Sequence, residues 1–190
     1  MAFVVTGRGD AAPLGDIDDA AVLARAQLGD ADAFEEAVLR YEVRLRRYLT
    51  NLLQDQELAA DVLQETFLEL HQSLKRPDLP PSLSRWLYRV ATNNAIDALR
   101  RRSVRTRVRS LFTATAPRPP DPTDVALDRL AATRALARLS AEDRACVLLH
   151  AALGLRYYEI GRMLGLSDDA ARQRITRAKA RFRRQYEREA

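Results

Sequence analysis

The residues of this chain best suited to bind a charged ligand form a cationic run near its end. Between Arg172 and Arg184 the sequence has seven Lys or Arg residues and no acidic residue. Along the same segment Ala171, Ile175, Ala178 and Phe182 recur every three or four residues, which is typical of the buried stripe of a helix. Such a helix can pack by its stripe and bind a polyanion with the rest, because Lys and Arg neutralise phosphates and Arg also reaches base edges.

A short turn connects this run to the helical segment before it. The sequence GLS follows YYEIGRML, where Gly165 suits a sharp turn, Leu166 a buried corner and Ser167 a helix N-cap. A short glycine-containing turn between two helices indicates a helix-turn-helix motif. A basic run alone would be interpreted as a solvated surface, but the turn, cap and stripe together favour DNA binding. The polar residues predicted opposite the stripe are Arg172, Gln173, Thr176, Arg177, Lys179 and Arg183.

The charge of the chain is divided unevenly between its two parts. The net charge is +5, and 47% of the residues are hydrophobic, as in a globular protein with a real core. Residues 1–70 carry 6 basic and 14 acidic side chains, which is a net charge of −8, whereas residues 71–190 carry 25 and 12, which is +13. This asymmetry predicts a polyanionic partner for the second part and a different partner for the first.

Several classes of functional site are excluded by the residues present. The single cysteine, Cys146, cannot form an internal disulfide, and its apolar neighbours predict a buried thiol. His71 and His150 are far apart and have no neighbouring ligands, so we expect no metal or other cofactor. We also find no nucleophile–base pair and no phosphate-binding loop, which argues against an enzyme. No apolar run reaches membrane-spanning length and the first residues do not resemble a signal peptide, so we expect a cytoplasmic protein.

The elements that position these residues are all predicted to be helices. Helical periodicity and capping residues predict segments at about 19–28, 32–53, 55–74, 124–139, 140–154, 157–164 and 168–184. A further helix is predicted to begin at Ser82 or Ser84 and to end in the basic segment RRRSVRTRVRS. The segment TATAPRPPDPTD has four prolines and predicts a linker. We therefore expect an all-α fold of two small helical domains: a flexible tail at 1–19, a first domain at 20–108, a flexible linker at 109–124 and a helix-turn-helix domain at 125–187.

Two segments of the first domain carry a specific pattern. ELAADVLQETFLELHQSL contains Asp61, Gln64, Glu65 and Phe67. SLSRWLYRVATNNAIDALRRR contains Trp86, Leu87, Val90, Ala91, Asn93, Ile96, Asp97, Arg100 and Arg101. Together they resemble region 2 of bacterial RNA polymerase sigma factors of the extracytoplasmic-function group (group 4), which keep only regions 2 and 4. The segment from LARLSAEDR to RAKARFR resembles region 4 of the same family.

The resemblance implies a role for each polar strip. Asp61, Gln64, Glu65 and Phe67 would bind the clamp helices of the polymerase β′ subunit, where carboxylates suit a basic partner. The residues implied in binding and melting the minus-ten promoter element are Trp86, Asn93, Asn94, Asp97, Arg100 and Arg101, with Arg102 and Arg105 on the DNA backbone. The loop RPDLPPSLS would form the wall of the pocket for an extruded base. Two alternatives stay open here: Trp86 could instead pack the domain, and Asp97 could merely orient Arg100 or Arg101.

For region 4 the resemblance implies binding to the minus-thirty-five promoter element and to the β flap. The residues implied are Ser167, Arg172, Gln173, Thr176, Arg177 and Lys179, with Arg181 and Arg183 beside phosphates. It also implies an anti-sigma protein as a partner. Two other functions stay open: a sigma-like decoy that binds only an anti-sigma protein, which would not need the basic run, and a plain helix-turn-helix regulator, which would not need the region 2 pattern.

Overall fold

The computed structural model describes residues 17–76, 82–108, 124–151 and 153–189. These ranges contain eight helices and no strand, which confirms the all-α prediction. The first four are α1 (Ile17–Gln27), α2 (Ala31–Leu53), α3 (Gln56–Ser73) and α4 (Leu83–Val108). The last four are α5 (Asp124–Ala137), α6 (Ala141–Ala151), α7 (Tyr157–Leu164) and α8 (Asp168–Glu189). Residues 1–16 of the predicted tail, most of the loop RPDLPPSLS and residues 109–123 of the predicted linker lie outside the described residues. The helices begin slightly earlier than predicted, because α1 includes residues 17–19 and α5 begins at Asp124.

Short polar side chains set the beginnings of the first helices. The carboxylate of Asp30 accepts a hydrogen bond from the Ala33 amide at 3.1 Å and begins α2. Asp55 begins α3 in the same way, accepting from the Leu58 amide at 3.1 Å. Each bond satisfies one of the amides that lack a partner in the first turn of a helix. Between the two helices Gln54 is left-handed, with φ of 57°, and makes the turn.

The first bundle is built around α2. Its residues Leu45, Leu49 and Leu52 are fully buried, and α3 and α4 pack against this stripe. The buried hydroxyls of Tyr48 and Thr92 lie 2.7 Å apart in a hydrogen bond that joins α2 to α4. This bond satisfies polar atoms that would otherwise be costly inside the core. The three helices therefore hold the outer faces of α3 and α4 in fixed orientations.

The second bundle surrounds the stripe of α8. Ala171, Ile175, Ala178 and Phe182 are all buried, as the sequence periodicity predicts. Helices α5, α6 and α7 each pack on α8. The buried Cys146 of α6 is also part of this core, and burial raises the pKa of its thiol to about 12. The prediction of a buried, unpaired thiol is confirmed.

The two bundles touch each other, which the sequence pattern did not predict. Helix α2 packs on α5 and α6, and α4 packs on α6 and α7. The buried apolar side chains of both bundles form one continuous cluster that extends from Val22 to Phe182. Among the described residues, no helix combines the length and apolar character needed to cross a membrane.

Candidate nucleic-acid and protein interfaces

The turn between α7 and α8 has the tight geometry that a helix-turn-helix requires. Gly165 ends α7 with φ of 65°, a left-handed conformation that suits glycine. The Leu166 amide donates to the Gly161 carbonyl at 2.8 Å. A Cβ on Gly161 would lie 3.0 Å from the Leu166 carbonyl oxygen and 3.3 Å from Ala171 Cβ. The two helices can therefore approach this closely because residue 161 has no side chain.

Ser167 has a structural role at this turn. Its hydroxyl accepts a hydrogen bond from the Ala170 amide at 3.3 Å, and its carbonyl accepts from Ala171 at 2.8 Å. Ser167 is thus the N-cap of α8, as its type and position predict. The residue is exposed, so its place at the tip of α8 is compatible with the DNA contact that the sequence also predicted.

The outer face of α8 is an exposed polar surface. All five α8 residues predicted to contact the minus-thirty-five element are exposed: Arg172, Gln173, Thr176, Arg177 and Lys179. In the part of the chain that the structure describes, Arg172, Thr176 and Lys179 form no side-chain hydrogen bond or ion pair. Arg177 bonds only to its own helix, through the Gln173 carbonyl at 3.3 Å. This face can bind DNA without first breaking a contact to another part of the protein.

Two other arginines of α8 form ion pairs with α6. The buried carboxylate of Asp143 pairs with Arg181 at 2.7 Å and with Arg174 at 3.5 Å. Asp143 therefore fixes α8 to α6 by charge in addition to the apolar stripe. Arg181 was predicted to lie beside a DNA phosphate; it pairs with this carboxylate and is still 56% exposed, so the phosphate contact stays a prediction. A basic run read from the sequence does not separate the arginines that anchor the helix from those that remain available.

A second exposed polar strip runs along α4. Arg85, Arg89, Asn93, Asp97 and Arg101 are all exposed and recur every four residues, so they follow one side of the helix. Arg100 lies beside the end of this strip and is also exposed. We refer to these six residues as the α4 strip. Sequence reasoning missed Arg85 and Arg89, although extending the four-residue spacing back from Asn93 would have found them.

Several polar residues predicted to contact the minus-ten element already have partners in the protein. The half-buried Asn94 donates to the Glu69 carboxylate at 2.8 Å, which joins α4 to α3. Arg100 bonds to Asp97 at 3.4 Å, so the alternative in which Asp97 orients Arg100 matches the geometry. Arg102 pairs with the α3 cap Asp55. Asn93 is exposed and makes no side-chain hydrogen bond to any described residue.

Trp86 is not on the α4 strip. It is only 7% exposed and belongs to the apolar core of the first bundle. Its ring is therefore used in packing, which is the alternative that the sequence left open. The side chain of Arg105 and most of the loop RPDLPPSLS lie outside the described residues, so their predicted contacts have no structural counterpart here.

The third polar surface lies on α3. Asp61, Gln64 and Glu65 are exposed and share one side of the helix, at spacings of three and four residues. Leu68, which is 55% exposed, extends the same side by one turn. Phe67 differs from the other residues predicted to bind polymerase, because it is half-buried and packs against the core. Within the described residues, no group of three or more His, Cys, Asp or Glu side chains could hold a metal ion.

Comparison with known proteins identifies both bundles. Residues 37–105 match Sigma-70 region 2, and residues 129–182 match Sigma-70, region 4. The RNA polymerase sigma factor CarQ of Myxococcus xanthus is 36% identical over 157 residues, which are 82% of this chain and 90% of CarQ. The ECF RNA polymerase sigma factor SigM of Mycobacterium tuberculosis is 31% identical over 171 residues, covering 87% of this chain and 83% of SigM.

A solved structure shares the fold. The sigma factor RpoE of Bartonella quintana, crystallised with the anti-sigma factor NepR, superposes with a TM-score of 0.66. The match covers 81% of this chain and 96% of RpoE at 22% identity. The order of the two matched regions and the relatives that span nearly the whole chain confirm the resemblance seen in the sequence. The chain therefore belongs to the extracytoplasmic-function (group 4) sigma factors, which direct RNA polymerase to promoters and begin transcription.

Proposed function

We propose that the three exposed polar surfaces divide the work of a sigma factor among α3, α4 and α8. The α3 residues Asp61, Gln64 and Glu65 bind the clamp helices of the polymerase β′ subunit. The α4 strip reads and melts the minus-ten element, and α8 reads the minus-thirty-five element, with the second bundle also contacting the β flap. The observation that carries the proposal is that each surface lies on a different helix, on the side opposite the buried stripe.

The charge of each surface supports its assignment. The α3 surface offers two carboxylates and an amide, which suit a basic protein surface through charge-assisted hydrogen bonds. The charged side chains of the α4 strip and of the α8 face are all cationic except Asp97, which suits binding to DNA phosphates. The protein would thus act by binding alone, in the cytoplasm where core polymerase is found. Control by an anti-sigma protein is a further part of the proposal, based on the family.

The experiment that tests the polymerase surface is charge reversal. Asp61→Lys with Glu65→Lys should abolish co-purification of the full chain with core RNA polymerase and abolish run-off transcription. Both side chains are exposed, so the helical circular dichroism spectrum should not change. The matched control reverses two exposed acids of α2, Asp32→Lys with Glu35→Lys, and should leave polymerase binding intact. Wild-type binding by the α3 variant would refute the assignment.

A sigma-like decoy is the second candidate, and the same preparation tests it. A decoy would bind an anti-sigma protein without supporting transcription from any promoter. The accessible cationic face of α8 argues against it, because a protein that never touches DNA has no use for this face. Run-off transcription by the wild-type chain with core polymerase on a genomic promoter library would exclude the decoy, whereas binding to polymerase without any transcript would favour it.

A further inference from the structure

Helix α2 carries a cluster of arginines that the proposed function does not use. Residues 1–70 contain only 6 basic side chains, and four of these are Arg40, Arg44, Arg46 and Arg47 of α2. Arg40 and Arg46 each pair with acidic residues of the same bundle. Arg44 and Arg47 are exposed and form no ion pair with any described residue. These two residues, which we call the α2 arginine pair, are available to bind an anion outside the bundle.

Helices α2 and α4 lie side by side and run in the same direction. The hydroxyls of Tyr48 and Thr92 are 2.7 Å apart. One turn earlier on both helices, burial raises the pKa of Tyr88 to about 12, and the neighbouring Arg44 guanidinium opposes this rise. Both contacts join residues that are 44 positions apart in the sequence. Because this separation stays constant along the contact, the helices are parallel, and the α2 arginine pair is level with the beginning of the α4 strip.

The arginines of the two helices also lie on the same side of this helix pair. The rings of Tyr48 and Tyr88 are 5.1 Å apart, so both side chains are at the contact between α2 and α4. Relative to Tyr48, the α2 arginine pair is rotated about the axis of α2 by about 40° and 100° in one sense. Relative to Tyr88, Arg85 and Arg89 are rotated by about 60° and 100° in the opposite sense. Opposite rotations on parallel neighbouring helices direct all four arginines to one common side.

We propose that the α2 arginine pair binds phosphates of the promoter strand whose bases contact the α4 strip. This inference rests on the function proposed for α4. Arg85 and Arg89 belong to that strip, so a strand that lies along them also passes the α2 arginine pair. A DNA strand fits better than a small anion, because four cations spread over two helices match a repeating row of phosphates.

The two helices would contribute differently to promoter binding. Asn93 of α4 offers an amide, which can form hydrogen bonds to a base edge and so carry sequence information. A guanidinium bound to a phosphate positions the strand and adds affinity, but it does not distinguish one base from another. Loss of the α2 arginine pair should therefore weaken binding to all promoters alike.

The first test measures promoter binding by the full chain in the presence of excess core RNA polymerase, over a salt series. Arg44→Ala with Arg47→Ala should weaken binding about fivefold or more on promoters with different minus-ten sequences. The salt slope should fall by about 1.4 to 1.8, because two phosphates are no longer neutralised. The control Arg25→Ala with Arg46→Ala removes the same charge from exposed sites elsewhere on the bundle and should keep the wild-type salt slope.

The second test identifies the phosphates that are bound. Methylphosphonate substitution removes the charge of one phosphate at a time along a promoter that supports run-off transcription. At a contacted position, within or directly beside the minus-ten element, the substitution should weaken binding by wild type and have no further effect on the α2 variant. If every substitution weakens both proteins equally, the α2 arginine pair does not contact this strand and the proposal is wrong.

A third variant separates this inference from the function on which it rests. Arg89→Ala with Asn93→Ala changes only the α4 strip and should also weaken promoter binding. If both the α4 variant and the α2 variant bind promoters like wild type, the function proposed for α4 is wrong. If only the α2 variant does so, the α4 assignment stands and the inference about α2 is wrong. Both α2 arginines are exposed, so the helical circular dichroism spectrum of that variant should match wild type.

Discussion

The two helices assigned to promoter DNA, α4 and α8, differ in the contacts that their polar residues make with the rest of the protein. The reading face of α8 is exposed, and its anchoring arginines are already paired with Asp143 inside the same bundle. On α4, Arg85, Arg100 and Asn94 all have partners on other helices. The α8 face makes no contact with another helix, whereas Arg85 and Arg100 near the two ends of the α4 strip each have a partner on the second bundle.

This difference matches the different requirements of binding the two promoter elements. Reading a duplex in the major groove requires a rigid helix presented at a fixed angle, and a helix held by its own bundle supplies that. Holding an extruded base requires a surface that is used only once the strands part. The following variants test whether the two helices differ in this way.

The largest effect is expected at the arginine between the bundles. Arg144 of α6 is buried and donates to the Leu52 carbonyl of α2 and to the carbonyls of Leu136, Ala137 and Leu139 at the end of α5. Arg144→Ala removes these bonds and leaves the Leu52 and Leu139 carbonyls without this donor, whereas the Leu136 carbonyl still accepts from the Leu139 amide. We expect the free energy of unfolding to fall by about 3 kcal/mol, measured by urea denaturation followed by circular dichroism. The control is Arg138→Ala, an exposed arginine six residues earlier, which should cost about 0.5 kcal/mol or less. Equal costs for the two variants would show that Arg144 does not support the contact.

Within α8, replacing a residue that contacts bases and replacing a residue that contacts phosphates should have different effects on promoter binding. Arg172→Ala should cost about 1–3 kcal/mol on the preferred promoter and little on others, because a base contact carries sequence information. Lys179→Ala should weaken all promoters alike and reduce the salt slope by about one, because one fewer counterion is released. Holoenzyme binding to two promoters that differ only in the upstream element, across a salt series, measures both. An equal loss on both promoters for Arg172→Ala would make it a backbone contact.

On α4, substitutions of two neighbouring asparagines should have different effects, one on promoter melting and the other on protein stability. Asn93 is exposed, whereas the half-buried Asn94 bonds to Glu69 at 2.8 Å. Asn93→Ala should therefore weaken open-complex formation in permanganate footprinting and leave the free energy of unfolding within about 0.5 kcal/mol of wild type. Asn94→Ala should instead lower stability by about 1 kcal/mol, through the lost hydrogen bond. If Asn93→Ala leaves the melted region of the promoter unchanged, Asn93 does not contact the minus-ten bases.

A smaller effect, with a defined pH dependence, is expected where α4 ends against α3. The Leu58 amide and the Arg102 guanidinium lower the pKa of Asp55 below its ordinary 3.8, so its contribution to stability is present above that pH. Asp55→Ala should cost about 1 kcal/mol at pH 7 through the lost cap. As pH falls through the lowered pKa, Asp55 becomes protonated and the difference from wild type should shrink. Asp55→Asn keeps a capping oxygen but not the charge, so urea denaturation between pH 7 and 3 should show a smaller cost than Asp55→Ala at pH 7, and this cost should also shrink as the wild-type carboxylate is protonated.

The smallest effect is expected for Gly161→Ala at the helix-turn-helix corner. Gly161→Ala gains about 1 kcal/mol of helix propensity but places a Cβ 3.0 Å from the Leu166 carbonyl oxygen, which must then move. The two terms oppose each other, so unfolding should change by less than about 1 kcal/mol. Gly161→Val adds bulk at the same contact and should lose more than about 2 kcal/mol. A neutral valine would show that α7 and α8 can separate freely, and that the α8 face is not rigid.

The sequence determined the local structure of this protein and the identity of its surfaces. Eight helical segments, the caps Asp55 and Ser167 and the turn at Gly165 all follow from side-chain periodicity and from the conformations that short polar residues and glycine favour. The family resemblance located the candidate sites, because it depends on residue order along single helices. These are local properties, and neighbours in sequence are enough to specify them.

Only the tertiary structure decided which of these residues are still available. Arg174 and Arg181 resemble Arg172 in the sequence, but Asp143, more than 30 residues earlier, pairs with them and not with Arg172. Trp86 fits the sequence pattern of a DNA contact, but in the structure it is buried in the core of the first bundle. The pairing of Glu142 and Glu159 with α4 joins groups about 40 and 70 residues apart. A charged side chain has no fixed partner until packing places one beside it. Periodicity along one helix contains no information about the residues of the helix that packs against it.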